Sequence, residues 1–394
     1  MQKKFIVAFI LSLCFFGQVV KAQDERTTVA KTHKIGIFAP LYLDSVFTGN
    51  SYRYGKNFPR FMVQSLDFVQ GAQIAADSIT LPGTTIKIYI YDSKAADAGV
   101  SQLIEEKKID SLDCIIGSVR DDDYIKLASF ALEKNIPFIS ATYPNDGGIT
   151  GNPFLVIMNS TLRAHCEAIY AYLLQSHGTD KILLCRKPGT QEDRVAGYFK
   201  KINEPDGKPL LNIQTVNIAD SNFAFIKNKM DSTKKNVIIG ASLDEYFAFS
   251  LSSQVASLNK TYPATLIGMP NWDGFKSFAK KNNMGDFPVY YTTPYYNSKS
   301  DSISKMIQSV YLKKYKGVPS DFTYKGFEIT YLLLKTIAAY PDDFMNHLND
   351  SNVTVFNEYN FKPVFNSSKA KPDYFENKHL YFMKNQHGKI SKAW

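Results

Sequence analysis

Ser118 and Thr142 are placed for binding chemistry. Each closes a short apolar run: Cys114–Ile116 leads into Gly117-Ser118, and Ile136–Ile139 leads into Ser140-Ala141-Thr142. A small hydroxyl beside free backbone N–H groups can donate to an anion. Covalent chemistry finds less support. Neither Ser118 nor Ser140 has the G-x-S-x-G setting of a hydrolase nucleophile. His33, His165, His177, His347, His379 and His387 show no H-x-x-x-H or H-E-x-x-H spacing, which argues against a zinc site. No G-x-G-x-x-G or Walker-type loop is present to cradle a nucleotide. Asp121-Asp122-Asp123 reads as the first turn of a helix, where the dipole favours carboxylates, rather than as a metal cluster. The expectation is a binding cleft with no catalytic residue, no metal and no cofactor.

The elements that must hold these hydroxyls follow from spacing. Ile125, Leu127, Ala128, Ala131 and Leu132 fall on one helical face between the two apolar runs. The unit is β-α-β, with a crossover long enough to make its strands parallel. Ligands of open parallel sheets sit outside the carboxyl ends of the strands, where Ser118, Ser140, Ala141 and Thr142 lie. Tyr42 and Tyr143 also follow strands and supply aromatic walls. Further along, Trp272, flanked by Asn271 and Asp273, follows another strand and is a candidate to stack on a ligand. Ser242, after the Asn236–Gly240 run, is a candidate of the same sort.

Composition bounds the rest. The 394 residues are 44% hydrophobic and 21% charged, an ordinary globular balance with material for two or three domains. Residues 1–22 read as an export signal: Lys3-Lys4, the apolar Phe5–Phe16, and Val20-Lys21-Ala22 as a small-x-small cleavage site. The apolar run is shorter than the roughly 20 residues of a spanning helix. Cys14 brings a lipoprotein into view, but Leu13 stands where a lipobox needs a small residue. The mature protein is expected to be soluble and periplasmic, beginning after Ala22. Losing Lys3, Lys4 and Lys21 lowers the net charge from +9 to +6, spread without a basic block, so no nucleic-acid partner is expected. Cys114, Cys166 and Cys185 remain, too few for a full disulfide framework. Cys166 and Cys185 fall on neighbouring elements and leave a bridge open, though buried thiols are the plainer reading.

In chain order, the first strand, Lys34–Ala39, leads into a long Gly- and Asn-bearing loop, Asp44–Arg60. A helix over Phe61–Ile79, the strand Ile86–Tyr91 and a helix near Ala95–Lys107 reach the β-α-β unit. Phe154–Met158 crosses to a second alternating series that ends at the strand Val289–Thr292. Helices Ile303–Lys316 and Phe322–Ala339 follow, then β-like runs at Tyr359–Val364 and Leu380–Met383. The fold class is α/β, with two doubly wound parallel-sheet lobes around a cleft. The first lobe is expected to hold residues 33–157 and about 295–350, and the second 158–294 and about 351–394.

The order of these pieces resembles the type I periplasmic binding proteins, the superfamily of leucine/isoleucine/valine-binding proteins and related receptor ligand-binding regions. I-G-I-F-A-P-L (Ile35–Leu41), F-V-Q-G-A-Q-I-A-A-D-S-I (Phe68–Ile79), I-K-I-Y-I-Y-D (Ile86–Asp92), D-C-I-I-G-S (Asp113–Ser118) and I-P-F-I-S-A-T (Ile136–Thr142) carry it through the first lobe. G-M-P-N-W (Gly268–Trp272), V-Y-Y-T-T-P-Y-Y (Val289–Tyr296) and the helix around Tyr324–Glu328 carry it onward. The resemblance implies two lobes joined by three crossovers and closing by hinge motion on a small polar, amino-acid-like ligand. It also implies delivery to an ABC permease or another membrane partner. A second reading keeps the fold but makes the chain an envelope scaffold that regulates cell-wall enzymes without transport. In amino-acid-binding members a Ser after the third strand and a Ser/Ala/Thr group after the fourth hold the ligand's carboxylate and ammonium. Ser118 and Ser140-Ala141-Thr142 match them. Such members pair the ammonium with an acidic residue of the second lobe, to which the sequence assigns no position.

Overall fold

The computed structural model describes residues 32–394 apart from 82, 220–221, 280–283, 285, 351–353, 366–370 and 394. The expected export signal and its cleavage point lie outside the described residues. Among the described residues no helix is long and apolar enough to cross a membrane.

The first lobe opens with β1 (Thr32–Ala39) and a small hairpin of β2 (Phe47–Thr48) and β3 (Ser51–Tyr52), followed by β4 (Thr85–Asp92), β5 (Cys114–Gly117), β6 (Phe138–Ser140) and β7 (Leu155–Ile157). The second lobe adds β8 (Lys181–Arg186), β9 (Ile213–Asn217), β10 (Asn236–Gly240), β11 (Ala264–Gly268) and β12 (Val289–Thr293). Near the end come β13 (Phe361–Val364), β14 (Tyr374–Asn377), β15 (Tyr381–Gln386) and β16 (Lys389–Lys392). Among the described residues these form two seven-stranded sheets, ordered β13-β14-β7-β6-β5-β1-β4 and β16-β15-β12-β11-β10-β8-β9. Within these two sheets pairing is parallel except where β13 meets β14, β12 meets β15, and β15 meets β16, and the β2–β3 hairpin is a separate antiparallel pair. The expected α/β, doubly wound, two-lobed class is therefore observed, with the chain passing between the sheets after β7, after β12 and after β14.

Strand alternation builds the first core. Ile35, Ile37, Cys114 and Ile116 face the helices Arg60–Ser78 and Asp321–Ala339, while Phe38 and Ile115 face the helix Asp121–Lys134 on the other side. Both faces are covered, so these strands read as continuous apolar runs. The helices Arg60–Ser78 and Asp321–Ala339 meet backbone to backbone. A Cβ at Gly71 would come 2.0 Å from the Thr323 carbonyl oxygen, and one at Gly326 would come 2.0 Å from that of Phe68. Cys166 and Cys185 lie in the second core, and all three described cysteines are free and buried. Cys166 and Cys185 are therefore not bridged.

Two expectations need correction. Residues 351–394 do not join the second lobe as a unit. β13 and β14 extend the first sheet, where Phe361, Val364 and Tyr374 complete its cores, and only β15 and β16 join the second. The Asp44–Arg60 loop is partly structured, with the helical turn Leu43–Val46 and the β2–β3 hairpin. Residues Phe223–Lys229 form a short 3-10 helix.

Candidate functional site

The carboxyl ends of β1, β4, β5 and β6 surround a cavity of about 520 Å³. Ser118 leaves β5 with its N–H on the Phe38 carbonyl at 2.9 Å. Gly117 precedes it because a Cβ there would meet the Phe138 ring at 2.5 Å. Across the cavity floor, Ser118 Oγ and Thr142 Oγ1 lie 3.1 Å apart in a mutual hydrogen bond. The Thr142 carbonyl accepts from Asn159 Nδ2 at 2.8 Å, which fixes the turn after β6. Among the described residues the Thr142 N–H has no intramolecular acceptor. Two hydroxyls and a free N–H at adjacent strand ends suit a carboxylate.

Aromatic rings wall this floor. Tyr42 and Phe61 pack edge to face at 5.3 Å, and Tyr143 and Phe322 complete the lining. Tyr42 has a left-handed backbone, φ 54°. That conformation is held by Asp92, whose carboxylate accepts the N–H groups of Leu41, Tyr42 and Leu43 at 2.9, 3.1 and 2.7 Å. Asp92 is a positioning residue that sequence reasoning passed over, although its place directly after Ile86–Tyr91 was the available signal. Tyr143 donates toward Asp121 Oδ1 at 3.4 Å, and burial raises its pKa. The charges on this wall pair off: Lys94 with Asp123 at 2.7 Å, and Arg120 with Asp121 at 3.6 Å. The Asp123 hydrogen bond holds the Lys94 pKa above its ordinary value. Asp121 opens the helix Asp121–Lys134, as its acidic first turn implied.

The other expected residues stand outside this cavity. Ser140 and Ala141 are fully buried, and Ala141 contributes only a carbonyl, which accepts from the Tyr295 hydroxyl at 2.9 Å. In the second lobe, Ser242 is fully buried and donates to Glu192 Oε1 at 2.6 Å. Asn271 donates to the Leu243 carbonyl at 2.8 Å. Trp272, the candidate to stack on a ligand, lines neither cavity. It is a core residue whose Nε1 donates to the Ser242 carbonyl at 2.8 Å, and its indole fills the space over Gly240 and Gly268, where a Cβ would come within 2.3 and 2.1 Å. The bulk that made Trp272 attractive as a platform is spent on sealing the ends of β10 and β11.

That seal presents the next two residues, Asp273 and Gly274, to a second cavity of about 550 Å³. Its other walls are the crossover after β12, with Tyr295 and Asn297, and one face of the helix Asp321–Ala339, with Tyr324, Lys325 and Glu328. Partial removal from water raises the Asp273 pKa. The half-buried Lys325 ammonium lies 4.3 Å from the Tyr295 ring centre and 5.4 Å from that of Phe322. Desolvation lowers its pKa against the opposing pull of Asp321, Asp273 and Glu328. Glu328 is fully enclosed and accepts from the Phe356 N–H at 3.0 Å and from the Asn357 N–H and Nδ2 at 2.7 Å each. Burial raises its pKa to about 7. Sequence reasoning noted Asp273 only as a neighbour of Trp272 and missed Lys325, because a single charge on a long amphipathic helix looks like solvated surface.

The two cavities meet at the first turn of the helix Asp321–Ala339. Phe322 lines one, Lys325 lines the other, and Tyr295 links them by reaching Ala141 beside Thr142. The arrangement is a cleft between lobes with hydroxyl donors on one side and a carboxylate on the other.

Comparison with known proteins places this architecture. Residues 63–369 match the sequence model of a periplasmic binding protein family. No curated protein sequence matches the chain. Among solved structures, a Rhodospirillum rubrum protein provisionally assigned as a branched-chain amino acid ABC transporter superposes with a TM-score of 0.63 at 12% identity, covering 92% of this chain and 100% of that one. A branched-chain amino acid ABC transporter periplasmic ligand-binding protein from Burkholderia xenovorans gives 0.58 at 14% identity, covering 92% of each chain. An ABC transporter substrate-binding protein from Desulfitobacterium hafniense, solved in complex with Leu, gives 0.55 at 12% identity, covering 92% and 100%. Fold, order of elements and the matched span agree: the chain belongs to the periplasmic binding protein family.

Proposed function

We propose that this chain is an exported, non-catalytic solute-binding protein that closes its lobes on a small amino-acid-like solute. The observation that carries this reading is the Ser118–Thr142 hydroxyl pair, 3.1 Å apart at the ends of adjacent parallel strands and facing a cleft. The solute's carboxylate takes these hydroxyls and the free Thr142 N–H. Its ammonium takes Asp273, the acidic residue that the second lobe brings to the cleft. Tyr42 and Tyr143 wall the first-lobe side. The leucine complex of a protein with the same fold supports this class of ligand.

The first lobe comprises residues 33–157, about 295–350 and β13–β14; the second comprises 158–294 and β15–β16. Closure is a rotation about the three crossovers with little change inside either lobe. The closed form hands its solute to an ABC permease or a comparable membrane partner. Mature protein recovered from the periplasm begins at Gln23 in this reading, and N-terminal sequencing checks that address.

Calorimetric titration of the mature protein with a panel of free L-amino acids tests the proposal. The expected result is saturable 1:1 binding of at least one member, with scattering that shows compaction at saturation. Absence of binding across the panel, with a folded protein, overturns it.

A further inference from the structure

We infer that the β2–β3 insertion is a docking surface for an anionic lipid bilayer, which it meets with exposed aromatic rings and free cations. The inference goes beyond solute binding and does not depend on it.

The segment from Leu43 to Phe61 concentrates apolar side chains where water reaches them. Leu43, Phe47, Tyr54, Phe58 and Phe61 keep 42, 40, 38, 50 and 48% exposure. Most of the rings also touch one another. Phe47 contacts Tyr52 at 5.6 Å, Tyr52 contacts Tyr54 at 6.1 Å, and Tyr54 contacts Phe61 at 6.2 Å. Single exposed hydrophobics need no explanation, but a contiguous patch of them marks an interaction surface. The insertion is held as an ordered element. The Arg53 N–H donates to the Val46 carbonyl at 2.9 Å, and the Asp44 carboxylate accepts the Ala96 N–H at 2.7 Å.

Charge selects the partner. The segment carries Arg53, Lys56 and Arg60, all exposed, against the single acid Asp44. Among the described residues neither Lys56 nor Arg60 has an ion-pair partner. Aromatic rings interleaved with unpaired cations suit the boundary of an anionic bilayer. There the rings sit at headgroup depth and the cations meet lipid phosphates. A second copy of the chain suits the patch less well. A two-fold interface would set the patch against itself and bring its cations face to face.

Co-sedimentation of the mature protein with vesicles of phosphatidylethanolamine and phosphatidylglycerol tests this, with phosphatidylcholine vesicles in parallel. At low ionic strength, partition onto the anionic vesicles should be at least about tenfold tighter, and added salt should weaken it. Lys56→Gln/Arg60→Gln should lower it by about twentyfold, roughly fivefold for each cation. Phe58→Ser removes the most exposed ring of the patch and should lower it about five- to tenfold. None of these three residues lines either cavity, so the readout is separate from solute binding. Lys200→Gln/Lys201→Gln removes the same charge from an exposed stretch of the second lobe and should stay within about twofold of wild type. The wild-type comparison of the two vesicle types decides the matter even where a variant folds poorly. Equal partition onto both vesicle types, or binding to neither, overturns the inference. So do insertion variants that bind like wild type, or an equal loss in the second-lobe variant. A dimer in sedimentation velocity without lipid, dissociated by Phe58→Ser, overturns it in favour of a second copy.

Discussion

The Tyr295 hydroxyl donates to the Ala141 carbonyl across 2.9 Å, tying the second crossover to the strand end that carries Thr142. The bond is part-buried, with its Ala141 end fully enclosed, so the carbonyl does not exchange it for water at no cost. Tyr295→Phe keeps the ring beneath Lys325 and removes only this donor. The expected loss of stability is about 1–3 kcal/mol, that of a buried carbonyl left unsatisfied, and urea titration measures it. Wild-type stability in the variant would mean that the hinge does not rely on this contact.

Thr142→Val and Ser118→Ala remove one hydroxyl each from the cleft. Each is expected to weaken solute binding by roughly ten- to a hundredfold, the value of a hydrogen bond to a charged group. The melting temperature without solute should move little, because no core contact is lost. Calorimetry and thermal denaturation read the two effects separately.

Gly71→Ala and Gly326→Ala test the backbone contact between the helices Arg60–Ser78 and Asp321–Ala339. The added methyl meets a carbonyl oxygen at 2.0 Å in either case, and backbone cannot swing aside as a side chain can. Each variant should lose about 1–3 kcal/mol or more, visible as a lower urea midpoint. Moving the second helix also shifts Phe322 and Lys325, so affinity should fall together with stability.

Glu328 introduces a pH dependence. Burial raises its folded pKa to about 7, against an ordinary value of 4.5. The folded state thus binds the proton more tightly than the unfolded chain. This contribution is fully present below about pH 4.5 and is lost as pH rises through about 7, amounting to roughly 3 kcal/mol. His165 works in the opposite sense: burial lowers its pKa to about 3, so its contribution is lost as pH falls below 6.5. Wild-type stability alone therefore hides both. Glu328→Gln removes one of them, and the stability difference between wild type and variant should shrink in favour of the variant as pH rises from 5 to 8. A difference independent of pH would contradict the raised pKa.

Much of this architecture is legible in the sequence because strands buried on both faces must be apolar throughout, as Cys114–Ile116 and Ile136–Ile139 are. Ser118 and Thr142 are legible for a related reason, since the first small polar residues after such runs fall at the sheet's carboxyl edge. Trp272 misleads because an aromatic after a strand looks the same whether it faces a ligand or closes a core. Only the glycines beneath it, Gly240 and Gly268, distinguish the two. Asp273 and Lys325 are not legible, because they line one cavity only once folding brings the end of β11 against the helix Asp321–Ala339. The membership of β13 and β14 in the first sheet is hidden for a similar reason: parallel pairing of β14 with β7 joins segments more than 200 residues apart.

The three buried thiols give each lobe an intrinsic reporter. Cys114 lies in the first core, and Cys166 and Cys185 lie in the second, all shielded and with pKa values raised by burial. A thiol-reactive dye reaches them only when the surrounding lobe opens. Labelling followed by peptide mapping therefore separates the unfolding of one lobe from that of the other in the unmodified chain. It also shows whether saturation with solute protects the two together.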